Sequence, residues 1–191
     1  MEKFNFEVPS INRKEDAIEY INEFYKYNSD INGVGGLNRY LDNYEGWLEK
    51  LEEDYTRAPS EEKVPARTYF FVRESDKRII GMINIRLALN EKLKKYGGHI
   101  GYSIRPTERG NGYNKYNLYL GLKVCNEYGI NEVFMDADIN NPASWKTMEA
   151  LGGIRVRAHY DDINAHCEIV DYIIDVKQSL EEHKDFEDFI V

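Results

Sequence analysis

The sequence predicts a mixed α/β domain, and three observations carry that expectation. Runs rich in aromatic and β-branched residues fill the middle of the chain, and apolar residues at helical spacing fill segments on either side. Around residues 97–139 strand, helix and strand follow one another, which predicts at least one parallel crossover. The 191 residues fit a single domain spanning 1–191, long enough to bury about 70% of the unfolded surface.

The elements follow in order. Residues 4–8 (FNFEV) alternate and stop at Pro9-Ser10, a short first strand. Ala17, Ile18, Ile21, Phe24 and Tyr25 recur at helical spacing between Arg13 and Tyr27. Asn32 to Gly36 form a flexible connector. Leu37, Tyr40, Leu41, Tyr44, Trp47, Leu48 and Leu51 carry a second helix, and acid-rich residues 52–63 form an exposed loop. Arg67–Arg73, Ile79–Leu89 and Gly97–Ile104 are strands, the last stopped by Pro106. Asn114–Tyr128 is a helix with a broad apolar stripe, ended by Gly129. Val133–Ile139 is a strand, Pro142–Leu151 a helix with proline in its first turn, and Ile154–His159 and Glu168–Val176 two more strands. Residues 177–191 form an acidic helical tail, a solvated face or a docking surface for a second subunit in a homodimer.

Composition excludes several functions. Thirty-four acids against 25 Lys and Arg leave a net charge of −9, so a nucleic-acid partner, which needs a basic face, is not expected. Cys125 and Cys167 show no metal or redox spacing, so a reducing, cytoplasmic setting fits. No apolar run approaches the ~18 residues of a membrane span, and the start MEKFNFEVPS has no leader pattern, so neither membrane nor export is expected.

The segment that carries chemistry is Arg109-Gly110-Asn111-Gly112-Tyr113-Asn114-Lys115, between a strand and a helix. A helix N-terminus offers unpaired N–H groups and partial positive charge, and glycines before it let backbone approach a ligand. Together they suit a pyrophosphate, with Arg109 and Lys115 adding charge. A Walker loop does not fit, because the spacing and the magnesium hydroxyl are missing. A dinucleotide fingerprint lacks its third glycine. The R-x-x-G-x-G/A loop of acyl-CoA-binding acetyltransferases is the third reading, beside a plain glycine turn entering a helix.

The surroundings sharpen the third reading. With GGHIGYSIRP before the loop and Asn140-Asn141-Pro142-Ala143-Ser144 to Gly152-Gly153 after it, the chain resembles the GCN5-related N-acetyltransferase (GNAT) superfamily over residues 10–176. Trp47, Val64-Pro65-Ala66, Ile83 to Arg86, Leu89-Asn90 and Tyr172 to Asp175 are similar to one bacterial branch of it. The resemblance implies a central twisted mixed sheet flanked by helices, whose strands at Tyr102–Ile104 and Asp136–Asp138 splay to admit the pantetheine arm of acetyl-CoA. It implies that backbone N–H groups from Gly110 to Lys115 hold the pyrophosphate, that Ile104 lines the arm, and that Asn141 and Ser144 bond it. Acetyl would pass directly to an amine, with no metal.

Two departures from the family pattern matter. Asn114 stands where a small Gly or Ala is usual, and Met148 stands where many relatives place a proton-donating Tyr. For the proton acceptor, His99 has a suitable intrinsic pKa, against a hydrogen-bonded structural histidine. Strand alternation puts His99, Gly101 and Ser103 on one face and Ile100 and Tyr102 on the other; Tyr102 is a second polar candidate, against a packed ring. Tyr44, Glu45 and Trp47 on the second helix are candidate acceptor contacts, against core packing for the tryptophan and a solvated acid for Glu45. Asn84 and Arg86 alternate on one strand and can face one cleft, against a structural ion pair for the arginine. His159 and His166 show no metal-ligand pattern.

The function expected is N-acetylation of a small-molecule or peptide amine with acetyl-CoA as co-substrate. The negative charge favours a cationic acceptor such as a polyamine or aminoglycoside. Two alternatives stay open: a non-catalytic acyl-CoA-binding module, motivated by Met148, and a nucleotide-binding domain using the same loop.

Overall fold

Two antiparallel sheets carry the fold in a computed structural model that describes residues 2–162 and 166–191. The first sheet runs β1 (Phe4–Glu7), β2 (Ala66–Arg73), β3 (Ile79–Arg86), β4 (Ile100–Ile104). The second places β7 (Cys167–Asp175) between β5 (Glu132–Asp138) and β6 (Ile154–Asp161). Helices α1 (Lys14–Lys26) and α2 (Tyr44–Thr56) cover one face of the first sheet, where Ala17, Tyr20, Ile21, Phe24 and Trp47 pack on Phe70, Val72 and Met82. Helix α4 (Asn114–Glu127) covers the opposite face and spans both sheets, its Leu118 and Leu122 sharing a core with Ile83, Ile85, Ile100, Val133 and Val170. The period of two along β3 sends Ile83 and Ile85 to α4 and Met82 to the other helices. Helix α5 (Pro142–Glu149) follows β5. Among the described residues no helix is long and apolar enough to cross a membrane.

The sheets meet at one point. The His99 N–H donates to the Phe134 carbonyl at 2.7 Å, and the Phe134 N–H donates to His99 Nδ1 at 3.0 Å. Gly98 makes the approach possible: a Cβ there would lie 2.1 Å from the Phe134 oxygen, and its φ is +54°. Beyond this junction β4 and β5 form no ladder and belong to different sheets.

Several expectations need correction. Among the described residues every ladder is antiparallel, so the crossover through α4 leads from one sheet to the other instead of joining parallel neighbours. The second helix begins at Tyr44, because Asn43 caps it by accepting the Gly46 N–H at 3.2 Å, and Leu37–Arg39 is a separate 3₁₀ turn. It then runs through the acid-rich stretch to Thr56. β3 ends at Arg86, and a five-residue helix α3 (Glu91–Lys95), capped by Asn90, follows it. That helix buries no residue, so hydrophobic periodicity gives no signal for it. β4 starts only at Ile100, because Gly97 and Gly98 turn the chain with positive φ. The tail is α6 (Val176–Glu182) and a 3₁₀ stretch (Lys184–Phe189), and it docks on its own chain. Phe186 packs against the rings of Tyr116 and Tyr119, while Glu187 accepts from Tyr119 Oη and Lys123 Nζ, each at 2.9 Å. Between the two strands expected at Ile154–His159 and Glu168–Val176, residues 163–165 lie outside the described residues.

Candidate functional site

The glycine loop rises from a rigid ionic base. Arg105, which follows β4, is buried and pairs with Glu19 at 2.9 Å and Glu23 at 3.0 Å. Glu108, two residues before Gly110, is clamped by Arg73 and Arg78, each at 2.7 Å. From there Gly110 (φ +83°) and Gly112 (φ +72°) carry the chain into α4, and no atom lies within 4 Å of where their Cβ atoms would be. Among the described residues, the N–H groups of Gly110, Asn111, Gly112 and Tyr113 take no intramolecular acceptor, and no side chain caps α4. A run of free donors thus opens to solvent at the positive end of a 14-residue helix.

The expected side-chain charges are directed elsewhere. Arg109 donates to the Ile104 carbonyl (3.1 Å) and Ser29 Oγ (2.8 Å), its guanidinium 5.4 Å from the Phe24 ring centroid. Lys115 Nζ stands over Tyr116 and Phe186, at 4.9 and 5.2 Å. Asn111 closes the loop by donating to the Glu108 carbonyl at 3.1 Å. The anion-binding capacity lies in the backbone.

Next to the loop, a polar cluster ties β4 and α4 to α5. Tyr102 Oη donates to the Ser144 carbonyl at 3.0 Å and lies 3.2 Å from Ser144 Oγ, on the first turn of α5. Burial pushes the phenol well above its ordinary pKa, so it stays protonated. Asn114 reaches Thr147 Oγ1 of α5 at 3.4 Å and accepts from Asn117 at 3.3 Å, so it ties α4 to α5 instead of crowding the loop. Asn141 spends its Oδ1 capping α5 through the Ser144 N–H (3.3 Å), and among the described residues its amide NH₂ has no intramolecular partner. Ile104 is buried beneath the loop, and Met148, at 1% exposure, is part of the core.

On the opposite face of the junction the geometry reassigns His99. Its Nδ1 accepts from Phe134, which puts the ring proton on Nε2 and leaves the neutral ring no nitrogen free to take another. Burial, and then the Arg86 guanidinium, hold its pKa down to about 4. His99 is a structural joint.

A carboxylate that the sequence reading passed over lies two residues beyond Phe134. Met135 and Ala137 are buried in the core, so alternation turns Asp136 to the open face. Its Oδ2 accepts the Gly97 N–H at 2.6 Å, and burial, then the neighbouring Asp171, raise its pKa. Asp171, its register partner on β7, is bonded by Arg157 at 2.5 Å and faces His159 Nδ1 at 3.7 Å. Asp136, Asp171, Arg157, Tyr96 and Phe134 line a cavity of about 200 Å³. The alternation of β5 was the available signal for Asp136. Among the described residues no His, Cys, Asp and Glu group could hold a metal ion.

The expected acceptor contacts disperse. Tyr44 and Trp47 are fully buried, Tyr44 bonding the Ser10 carbonyl (3.0 Å) and Trp47 the Gly35 carbonyl (3.0 Å), so neither has surface left for a ligand. Glu45 is exposed and paired with Lys14 at 3.1 Å. Asn84 donates to Thr68 Oγ1 at 2.9 Å. Arg86 donates to the carbonyls of Gly97 and Gly98 at 2.9 and 2.8 Å and holds the turn that precedes His99.

Comparison with known proteins agrees with this architecture. A family model described as an acetyltransferase (GNAT) domain matches residues 11–154. Similar folds include a ribosomal-protein-S5-alanine acetyltransferase from Vibrio fischeri (TM-score 0.67, 13% identity, 92% of this chain and 94% of that one). Mutant forms of the spermidine/spermine N-acetyltransferase SpeG from Vibrio cholerae are also similar (TM-score 0.64, 12% identity, 95% and 98%). No curated protein sequence matches the chain. With the matched domain covering most of its length, the chain belongs to the GNAT acetyltransferase family.

Proposed function

We propose that this protein transfers an acetyl group from acetyl-CoA to the amine of a small molecule or peptide. One observation carries the reading: the unpaired N–H groups of Gly110 to Tyr113 stand at the positive end of α4, past the far end of β4, the strand that beyond the junction forms no ladder with β5. That arrangement suits a pyrophosphate whose attached arm enters the gap. The residues fit the ligand without Arg109 or Lys115, through backbone donors alone.

The reaction then divides between the two faces of the junction. A neutral amine attacks the thioester carbonyl, forming the C–N bond as the C–S bond breaks. Asp136, on the open face, accepts the amine proton; burial and the neighbouring Asp171 raise its pKa, which makes it a better base than an exposed carboxylate. Tyr102, on the α5 side, takes the place that Met148 leaves vacant. Its protonated phenol stabilises the departing thiolate by hydrogen bonding, and solvent supplies the thiol proton. The relatives named for spermidine/spermine and for a ribosomal-protein alanine support an amine acceptor, and the net charge of −9 favours a cationic one.

The test is thiol release from acetyl-CoA over a panel of polyamines, aminoglycosides and peptides. Release that depends on one amine class supports the reading. CoA binding with no release over the panel would instead support a non-catalytic acyl-CoA-binding module.

A further inference from the structure

In the polar cluster between α4 and α5, Asn117 leaves a buried polar atom unpaired. It is fully buried in the first turn of α4, and its Nδ2 donates to Asn114 Oδ1 at 3.3 Å. Its Oδ1 is buried and has no hydrogen-bond partner. Four residues on, helical spacing aligns it with Gly121, whose Cα packs so close to β3 and β4 that a Cβ would lie 2.7 Å from Ile83 Cδ1 and 3.7 Å from Ile100 Cδ1. Asn117 stands on that same face one turn nearer the glycine loop, toward the end of β4 that lies away from the His99–Phe134 junction. Among the described residues its side chain bonds Asn114 alone, and Asn114 connects onward to Thr147 of α5.

Burying an amide oxygen unpaired is unfavourable, and an apolar side chain of similar volume would serve a purely structural position better. Leu118 and Leu122 on the same helix show that this surface accepts apolar residues fully buried. An orphaned acceptor is matched by a donor arriving with a ligand. The pantetheine arm of CoA carries two secondary amides, each with one N–H, and it must pass between the loop and the junction if the pyrophosphate sits at Gly110 to Tyr113.

We infer that Asn117 is a ligand-binding residue whose side-chain oxygen accepts a hydrogen bond from an amide N–H of the pantetheine arm. The inference rests on the acyl-CoA reading above and adds to it a buried side-chain contact inside the gap. Ligand binding then completes the cluster: Tyr102, Ser144, Asn114, Thr147 and Asn117 each gain or keep a partner, and α4 and α5 are held at a fixed separation around the arm.

Calorimetric titration of the wild-type protein and of Asn117→Leu, with CoA and with adenosine 3′,5′-bisphosphate, tests this. The bisphosphate reports the nucleotide end without the arm. The expected result is CoA affinity about tenfold weaker in Asn117→Leu, the value of one lost buried hydrogen bond, with bisphosphate affinity unchanged and the thermal midpoint not lowered. Asn117→Ser, which shortens the side chain beyond reach, gives the same selective loss and stands in should the leucine fail to fold. Unchanged CoA affinity in a folded variant, or equal losses for both ligands, overturns the inference. A wild-type protein that binds no CoA overturns the acyl-CoA reading itself, and the assignment of Asn117 falls with it.

Discussion

His99 and Phe134 exchange two hydrogen bonds, backbone N–H to carbonyl at 2.7 Å and backbone N–H to imidazole Nδ1 at 3.0 Å, and through that exchange the two sheets are joined. A side chain that looks like a catalytic base in the sequence is thus spent on fixing where the strands part. The opening between β4 and β5 begins one residue later.

The first prediction concerns acid stability. With the His99 pKa held to about 4 in the folded protein, against an unfolded value near 6.5, the folded ring stays neutral while the unfolded ring protonates first. Stability is then lost as pH falls from about 6.5 to 4, by roughly 3 kcal/mol in all. His99→Asn keeps an acceptor for the Phe134 N–H without the titration and flattens this slope in urea denaturation series. His99→Leu orphans that N–H and costs about 1–3 kcal/mol at pH 7. A wild-type protein equally stable at pH 7 and pH 4.5 contradicts the buried neutral imidazole.

Asp136→Asn separates function from stability. A carboxyl whose pKa is raised on folding favours the unfolded state once pH exceeds its unfolded value, so neutralising it stabilises the fold at pH 7. The asparagine oxygen can still accept from Gly97. The expected outcome is a higher thermal midpoint together with acetyl transfer at least a hundredfold slower. In the wild-type protein the acidic limb of the rate profile lies above the ordinary aspartate range. A variant as active as wild type excludes Asp136 as the proton acceptor.

Removing one hydroxyl tests the other face. Tyr102→Phe keeps the ring packed and deletes the donor, so turnover falls about a hundredfold with CoA affinity little changed. Loss confined to affinity would mean that Tyr102 only positions α5 through Ser144.

The tail is part of the domain. Phe186 is 8% exposed and packs on Tyr116 and Tyr119, so Phe186→Ala lowers stability by about 3 kcal/mol. Chemical denaturation measures this directly, and a change under 0.5 kcal/mol would show the tail to be peripheral.

How far the sequence foretells this molecule depends on the kind of signal. Long periodic segments such as α1 and α4, and the strand runs of β2 and β3, announce themselves because packing selects one face of each. The glycine loop is legible because positive φ at Gly110 and Gly112 demands glycine. Tyr44 and Trp47 show where single-residue reading fails: an aromatic side chain on an amphipathic helix looks the same whether it meets a ligand or Phe70. His99 just precedes β4 and Asp136 lies on β5, and only the tertiary junction reveals that one is bonded at both backbone and ring while the other faces a cavity. Asn117 sits in a helical stripe that reads as uniformly interior, and its unmatched oxygen becomes visible only when its neighbours are in place.

Titration of the purified protein with acetyl-CoA, CoA, NADH and ATP tests the central claim most directly. The free donors at Gly110 to Tyr113 predict micromolar affinity for the two CoA compounds, lost in Gly112→Val without loss of the fold, and no comparable affinity for NADH or ATP. Failure to bind CoA, or tighter binding of NADH or ATP, would contradict the assignment of the loop and of the chemistry built on it.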